Sequence, residues 1–215
     1  MRIGLIGGTG KEGRGLSARW ARAGHDVFIG SRDAQRGRDK AAELSAKWDV
    51  TMQGGGNDEA ATFGEVVVLC VPWSAHEAAV TGIAPHVQGK LVVDITVPLQ
   101  PPKVRKVHLP DGGSAVAQTA RILGDGVRVV GTLHHVSSAH LADPDHTIDC
   151  DVLVCGNGRS ARDEVIALIG DLGLRGVDAG VLANAVALES LTPVLLHINR
   201  RYKAGGAGLR ITGLD

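Results

Sequence analysis

Residues 2–7, RIGLIG, form a short apolar run that breaks into glycines, and GRGLSARWARAG (13–24) follows with apolar residues at helical spacing. An apolar run of this kind reads as a buried parallel strand, and a strand feeding a helix through a tight turn is the unit from which wound parallel sheets are made. The turn itself, Gly8-Thr9-Gly10-Lys11-Glu12-Gly13, matches G-x-G-x-x-G in the context that motif requires. Glycine lets the backbone turn sharply and approach a pyrophosphate. The helix start adds free N–H donors and a positive dipole end.

The rest of the chain repeats the alternation. Strands are predicted over 25–32, 65–72, 90–98, 128–136 and 149–157. Helices are predicted over 34–47, 74–84, 114–123 (Ser114 as N-cap), 160–174 and 184–202, the last kinked by Pro193. LQPPKVRKVHLPDGGS (99–114) holds prolines 101, 102 and 110 and reads as a loop. Strands alternating with helices predict an α/β fold: a Rossmann-like, doubly wound, mostly parallel sheet with a small C-terminal capping part. The expected division is a nucleotide-binding domain over 1–137 and a smaller part over 138–215.

In such a sheet the tip of the second strand meets the adenosine ribose, and an acidic residue there favours NAD. Here the strand ends in Ser31-Arg32, with Arg36 following and Asp33 only beyond the tip. A 2′-phosphate needs hydrogen-bond donors and positive charge, and Ser31, Arg32 and Arg36 supply both. The expected cofactor is NADP(H). Arg38 and Lys40 read instead as a solvated helix face.

Lys plus Arg and Asp plus Glu balance at 23 each, so no global charge draws the chain to nucleic acid or membrane. Any anion site must be local. Cys70, Cys150 and Cys155 fit no zinc spacing and read as core thiols. No metal is expected: His134, His135, His140 and His146 lack a Cys or carboxylate to complete a set. MRIGLIGGTG is too broken for a signal peptide, and no apolar run reaches roughly 18 residues, so a cytoplasmic protein is expected.

IGGTGKEGRGL, IGSR with Arg36, VPW (71–73), HHVSSA (134–139), ALESLT (187–192) and INRRYKAGGAGLRIT (198–212) together resemble the NADPH-dependent coenzyme F420 reductases, the bacterial branch above all. The likeness covers nearly the whole chain. It implies hydride transfer between NADPH and the 5-deazaflavin coenzyme F420, in a cleft between the Rossmann part and the C-terminal part. By the resemblance, Thr9, Gly10, Lys11 and Glu12, with Gly8 and Gly13, form the pyrophosphate turn, and Ser31, Arg32 and Arg36 the 2′-phosphate clamp. Val71 and Pro72 lie beside the nicotinamide half. His134 and Val136 line the place where the rings meet, Ser138 follows in the same motif, and Ala207 gives a main-chain contact to the deazaflavin. One departure stands out: Val97 occupies a position near the nicotinamide where bacterial relatives tend to carry Asn.

Hydride transfer needs alignment of two cofactors and no protein nucleophile. His134 and His135, on a strand, are expected to point to opposite faces, with His134 positioning the rings rather than acting as an acid. Trp73 reads equally as a pocket wall or a packing residue, and Glu189 as a packing or dimer contact. The final helix carries Leu188, Leu191, Val194, Leu195, Leu196 and Ile198 around much of its girth, which predicts a homodimer. Other readings are a Rossmann NADPH reductase acting on a flavin or another acceptor, and an NADP(H)-binding sensor without turnover.

Overall fold

A computed structural model describes residues 1–214 of the chain. Its strands are β1 (Arg2–Ile6), β2 (Asp26–Ser31), β3 (Met52–Gly56), β4 (Val66–Leu69), β5 (Leu91–Asp94), β6 (Arg128–Gly131), β7 (Asp151–Gly156) and β8 (Arg175–Asp178). Its helices are α1 (Lys11–Arg22), α2 (Ala34–Trp48), α3 (Asn57–Phe63), α4 (Trp73–Ile83), α5 (Ala115–Leu123), α6 (Ser138–Leu141), α7 (Arg159–Gly170) and α8 (Ala185–Tyr202). The strands form one sheet in the order β3-β2-β1-β4-β5-β6-β7-β8, and every neighbouring pair is parallel except β6 and β7. The first six strands follow the 3-2-1-4-5-6 order of dinucleotide-binding sheets. The expected α/β Rossmann-like fold is therefore the observed one.

Burial explains the pattern. β4 (VVVL) and β5 (LVVD) are buried along their whole length, as central strands covered on both faces must be. Leu5, Leu16, Trp20 and Val68 pack on one face of the sheet, and Ile6, Val67, Leu69 and Val92 on the other.

Several expectations need correction. The strand expected over 90–98 stops at Asp94, and that expected over 128–136 stops at Gly131. Leu133 then adopts φ +61°, and the Val136 N–H returns to the Leu133 carbonyl at 3.2 Å. His134 and His135 thus sit in a turn, where strand alternation does not apply. β3, α3 and β8 were not anticipated. β3 reads MQGGG, without the apolar content of a strand, and its glycines have a packing cause: a Cβ on Gly54 would stand 2.2 Å from the Gly37 carbonyl oxygen, so α2 lies directly on β3. Pro193 lies within α8, which continues through it.

The C-terminal segment joins the same sheet through β7, and α7 crosses over to β8. The link between β6 and β7 is gathered by one side chain of α1. Arg19, 8% exposed, donates Nε to Leu141 O (3.2 Å), Nη1 to Leu172 O (3.1 Å) and Nη2 to the carbonyls of His140 (3.2 Å), Asp143 (2.6 Å) and His146 (2.8 Å). Burial lowers the pKa of this guanidinium from its ordinary value. Among the described residues no helix is long and apolar enough to cross a membrane.

Candidate functional site

Strand order reverses between β1 and β4, so a crevice opens at their C-terminal ends, the usual ligand position in such sheets. Gly7 turns the chain there at φ +70°, a conformation that favours glycine, and donates its N–H to Asn57 Oδ1 at 3.0 Å. Gly8 N–H bonds Gly30 O at 2.9 Å, which ties the turn to β2. A Cβ on Gly13 would lie 2.6 Å from Gly8 Cα, so α1 starts in direct contact with the turn. Gly10 caps α1, and among the described residues the amides of Thr9, Lys11 and Glu12 make no internal hydrogen bond. Those donors suit an anion.

The tip of β2 lies beside this turn. Ser31 is buried, and its Oγ accepts the Asp33 N–H at 3.3 Å. Asp33 caps α2, its Oδ1 accepting from Gln35 N–H (2.9 Å) and Arg36 N–H (3.3 Å). Its carboxylate is therefore engaged by the start of α2 even where it borders the cleft. A cleft of about 420 Å³ is lined by Thr9, Arg14, Asp33, Arg36, Lys40 and Glu43, among others. Lys40 pairs with Glu43, whose carboxyl its bond holds below the usual range. Arg32 and Arg36 form no ion pair among the described residues. Arg38 turns away to Gln35 Oε1 at 3.2 Å. Thr9 of the turn and Arg36 of the expected clamp thus meet in one cleft. A larger groove of about 750 Å³ lies on α4 and α5, bordered by Trp73, Glu77 and Gln118, and touches neither of them.

Val71 is half-buried against the turn: a Cβ on Gly7 would come within 2.7 Å of its Cγ1. Its carbonyl accepts the Thr96 hydroxyl at 3.4 Å. Pro72 is exposed and caps α4, and Trp73 packs on His76 with ring centroids 5.2 Å apart. Val97 is half-buried, its carbonyl accepting from Leu99 N–H at 2.7 Å.

Behind these residues lies a polar network that sequence reasoning missed. Asp94 Oδ2 meets His76 Nε2 at 2.9 Å and accepts the Thr119 hydroxyl at 2.6 Å, while Oδ1 accepts Thr96 N–H at 2.8 Å. Burial is the largest influence and opposes charge on both His76 and Asp94, but their mutual bond and attraction, together with the bond between Gln118 and His76 and those from Thr119 and Thr96 to Asp94, outweigh it, so His76 titrates above and Asp94 below the ordinary value. Glu189 is buried inside the chain and is a packing group. It accepts the amides of Ala115 (2.8 Å) and Val116 (3.0 Å) at the start of α5, and burial pushes its carboxyl up to about 8 against those bonds.

His134 and His135 are both buried, in the turn after β6 rather than on the strand expected to carry them. His135 Nε2 meets Asp151 O at 2.9 Å. Among the described residues neither ring nitrogen of His134 has a partner, and burial pushes its pKa down to about 4, so the ring is neutral near pH 7. The backbone is fixed from α8, since the Thr192 hydroxyl donates to His134 O at 2.5 Å. Val136 is buried, and Ser138, half-buried, opens α6.

Ala207 does not offer its N–H to a ligand, because that group donates to Asn199 Oδ1 at 2.7 Å. GGAG (205–208) is closely packed: a Cβ on Gly206 would meet the His140 ring, and one on Gly208 would meet Cys150 Cβ. In the basic cluster before the C-terminus, Arg210 pairs with Asp149, and Arg200 and Arg201 end α8. The three cysteines are buried, and burial raises all three thiols. Among the described residues no group of three or more His, Cys, Asp or Glu could hold a metal.

The sequence profile of the family described as NADP oxidoreductase, coenzyme F420-dependent, matches residues 2–98. The F420-dependent NADP reductase of Methanothermobacter marburgensis is 38% identical over 100% of this chain and 99% of its own length. That of Methanocaldococcus jannaschii is 34% identical over 100% of both. A solved structure from Arthrobacter sp. FB24, described as a candidate F420-dependent NADP-reductase, superposes with a TM-score of 0.84 at 28% identity and covers 99% of each chain.

Proposed function

The chain belongs to the coenzyme F420-dependent NADP oxidoreductase family, and from that footing we propose that it transfers hydride between NADPH and coenzyme F420. The observation that carries the reading is the joint presence, along one sheet edge, of an open anion cleft and an unsatisfied buried imidazole.

The cleft fits the nucleotide. Free amides at the start of α1 and the glycine contacts of the turn suit a pyrophosphate, and Ser31, Arg32 and Arg36 suit a 2′-phosphate. When bound, the two cofactors supply the redox chemistry themselves. The protein's part is alignment: Val71 and Pro72, with Val97 nearby, wall the nicotinamide end. His134 and Val136, with Ser138 and the tail at Ala207, shape the acceptor end. Because the Ala207 N–H is engaged by Asn199, the main-chain group left for an acceptor there is the carbonyl. Neutral His134 serves as a hydrogen-bonding wall rather than an acid. Residues 1–137 act as the NADP-binding unit and 138–215 as the part that completes the acceptor side.

Mixing protein, NADPH and F420 with no metal or added flavin, and following the deazaflavin absorbance, is the direct test. Bleaching in proportion to enzyme is expected. No bleaching alongside reduction of free flavin would replace F420 as the acceptor, and binding of NADPH without turnover on either would indicate a sensor.

The working state is a cytoplasmic homodimer. Leu188 and Leu195 are consumed within the chain, but Val194 on α8 and Val181 before it stay about half exposed. That leftover apolar face supports a second copy. Light scattering at micromolar concentration that returns only a monomer would remove this part of the reading.

A further inference from the structure

Asp151, at the start of β7, fastens two distant segments to each other. Its carbonyl meets His135 Nε2 at 2.9 Å, which anchors the turn that carries His134. Its N–H donates to Leu209 O at 2.8 Å, in the C-terminal tail. Its carboxylate accepts the Ile211 N–H at 2.6 Å and takes a two-pronged bond from Arg175 of β8, Nε at 2.6 Å and Nη2 at 2.7 Å. Arg175 also reaches the tail directly, at Leu214 O (3.0 Å) and Ile211 O (3.4 Å). The tail so held presses Gly206 on His140 and Gly208 on Cys150.

We propose that the Arg175–Asp151 pair is a positioning device for the acceptor half of the cleft: it holds the tail at Ala207 against the His134–Val136 turn and so sets the affinity for the deazaflavin while leaving NADPH binding alone. The proposal rests on the reading above, in which turn and tail both line the acceptor. A forked guanidinium–carboxylate pair fixes geometry as well as distance. Arg175 is 42% exposed at its side chain while Asp151 is buried, so loss of the guanidinium leaves a buried carboxylate with the Ile211 amide as its remaining donor, and the strain falls where the tail lies.

A pair that merely ties β7 to β8 would behave differently, and Arg162 supplies the control. It joins Asp178 of β8 through Nε at 2.6 Å and Gly156 O of β7 through Nη1 at 2.6 Å, and among the described residues it makes no bond to the tail. Arg175→Gln is expected to raise KM for F420 about tenfold, with kcat and the NADPH Kd within about twofold. Hydrogen exchange at the Ile211 amide should accelerate in the same variant. Arg175→Lys should recover part of the KM, and Arg162→Gln should change neither quantity. An unchanged KM in a variant whose Ile211 amide is freed overturns the proposal, as does an equal rise in Arg162→Gln. Should Arg175→Gln not fold, Arg175→Lys decides the matter by the same two readouts. A wild-type protein inert toward F420 would instead sink the functional reading.

Discussion

The ends of the cleft proposed for the adenine nucleotide and for the acceptor are built on opposite plans. At the adenine end the candidate binding groups stand open: amides at the start of α1 and the guanidinium groups of Arg32 and Arg36, which have no carboxylate partner among the described residues. At the acceptor end almost every group is already engaged. Asp151 holds the turn and the tail, Asn199 holds Ala207, and Thr192 holds His134 O. Among the described residues, both nitrogens of the His134 ring and His135 Nδ1 are left over there. An open cation selects a phosphate by charge. A surface fixed by internal bonds selects a ring by fit, because its ordering cost is met on folding rather than on binding. The two ends should therefore answer differently to substitution, salt and pH.

The largest effect is expected at the open end. Each charge-assisted bond to a 2′-phosphate adds on the order of 1.5–3 kcal/mol, so two or three give roughly a thousandfold preference for NADPH over NADH in kcat/KM. Arg36→Ala should erase much of that preference while leaving KM for F420 unmoved. Equal kcat/KM for the two nucleotides would show that the open guanidinium groups bind nothing, and the contrast would lose one of its terms.

Next comes the joint between the two ends. Arg19→Met removes donors from five carbonyls at once. Some of these carbonyls will find water, so the expected loss is about 3 kcal/mol of unfolding free energy, read by urea titration. The nucleotide preference should survive, because Arg19 faces away from the turn toward residues 140–146. A loss under about 1 kcal/mol would mean that water replaces the guanidinium and that the link is not held by it.

The contrast also decides what the sequence makes legible. The open end is local: a glycine turn, a strand tip and the next helix lie within residues 7–36, and each residue type announces its chemistry. The sheet's central strands are equally plain, since VVVL and LVVD have only one place to go. The engaged end is assembled from residues far apart in the chain. Arg19 with residue 146, His76 with Asp94, and Asp151 with Ile211 carry no spacing that links them. Secondary structure failed for a related reason. MQGGG and RGVD lack a strand's apolar signature, because contact with α2 shapes the first and a position at the sheet edge shapes the second. The turn at Leu133 broke an apolar run that periodicity alone would have extended.

A third, smaller effect belongs to the leftover ring. His134→Ala should lower kcat by about tenfold to a hundredfold, well short of the roughly 10⁴ that loss of a general acid–base group can cost. NADPH affinity should hardly change, since the ring lies outside the phosphate cleft. Stopped-flow traces of the hydride step would separate this from slow product release. A loss beyond about 10⁴ would show proton transfer at His134 and would contradict its neutral state.

The same burial that keeps His134 neutral also makes it a probe of how dry the acceptor end is. Its pKa is pushed down to about 4 from an ordinary 6.5, so the unfolded chain binds a proton at this ring more readily than the folded one. Its contribution to stability is therefore full above pH 6.5 and is lost as pH falls toward 4. Between pH 6.5 and 5 the loss should be about 1–2 kcal/mol, allowing for partial relaxation around the ring. His135 is depressed by burial too and adds a slope of its own, so the wild type alone does not isolate the effect. His134→Leu keeps the bulk, removes the titration and leaves His135 in place. Urea midpoints measured from pH 7.5 to 5 should fall less steeply in that variant than in the wild type. Parallel curves would mean that water reaches the ring, and the acceptor end would then be as open as the adenine end.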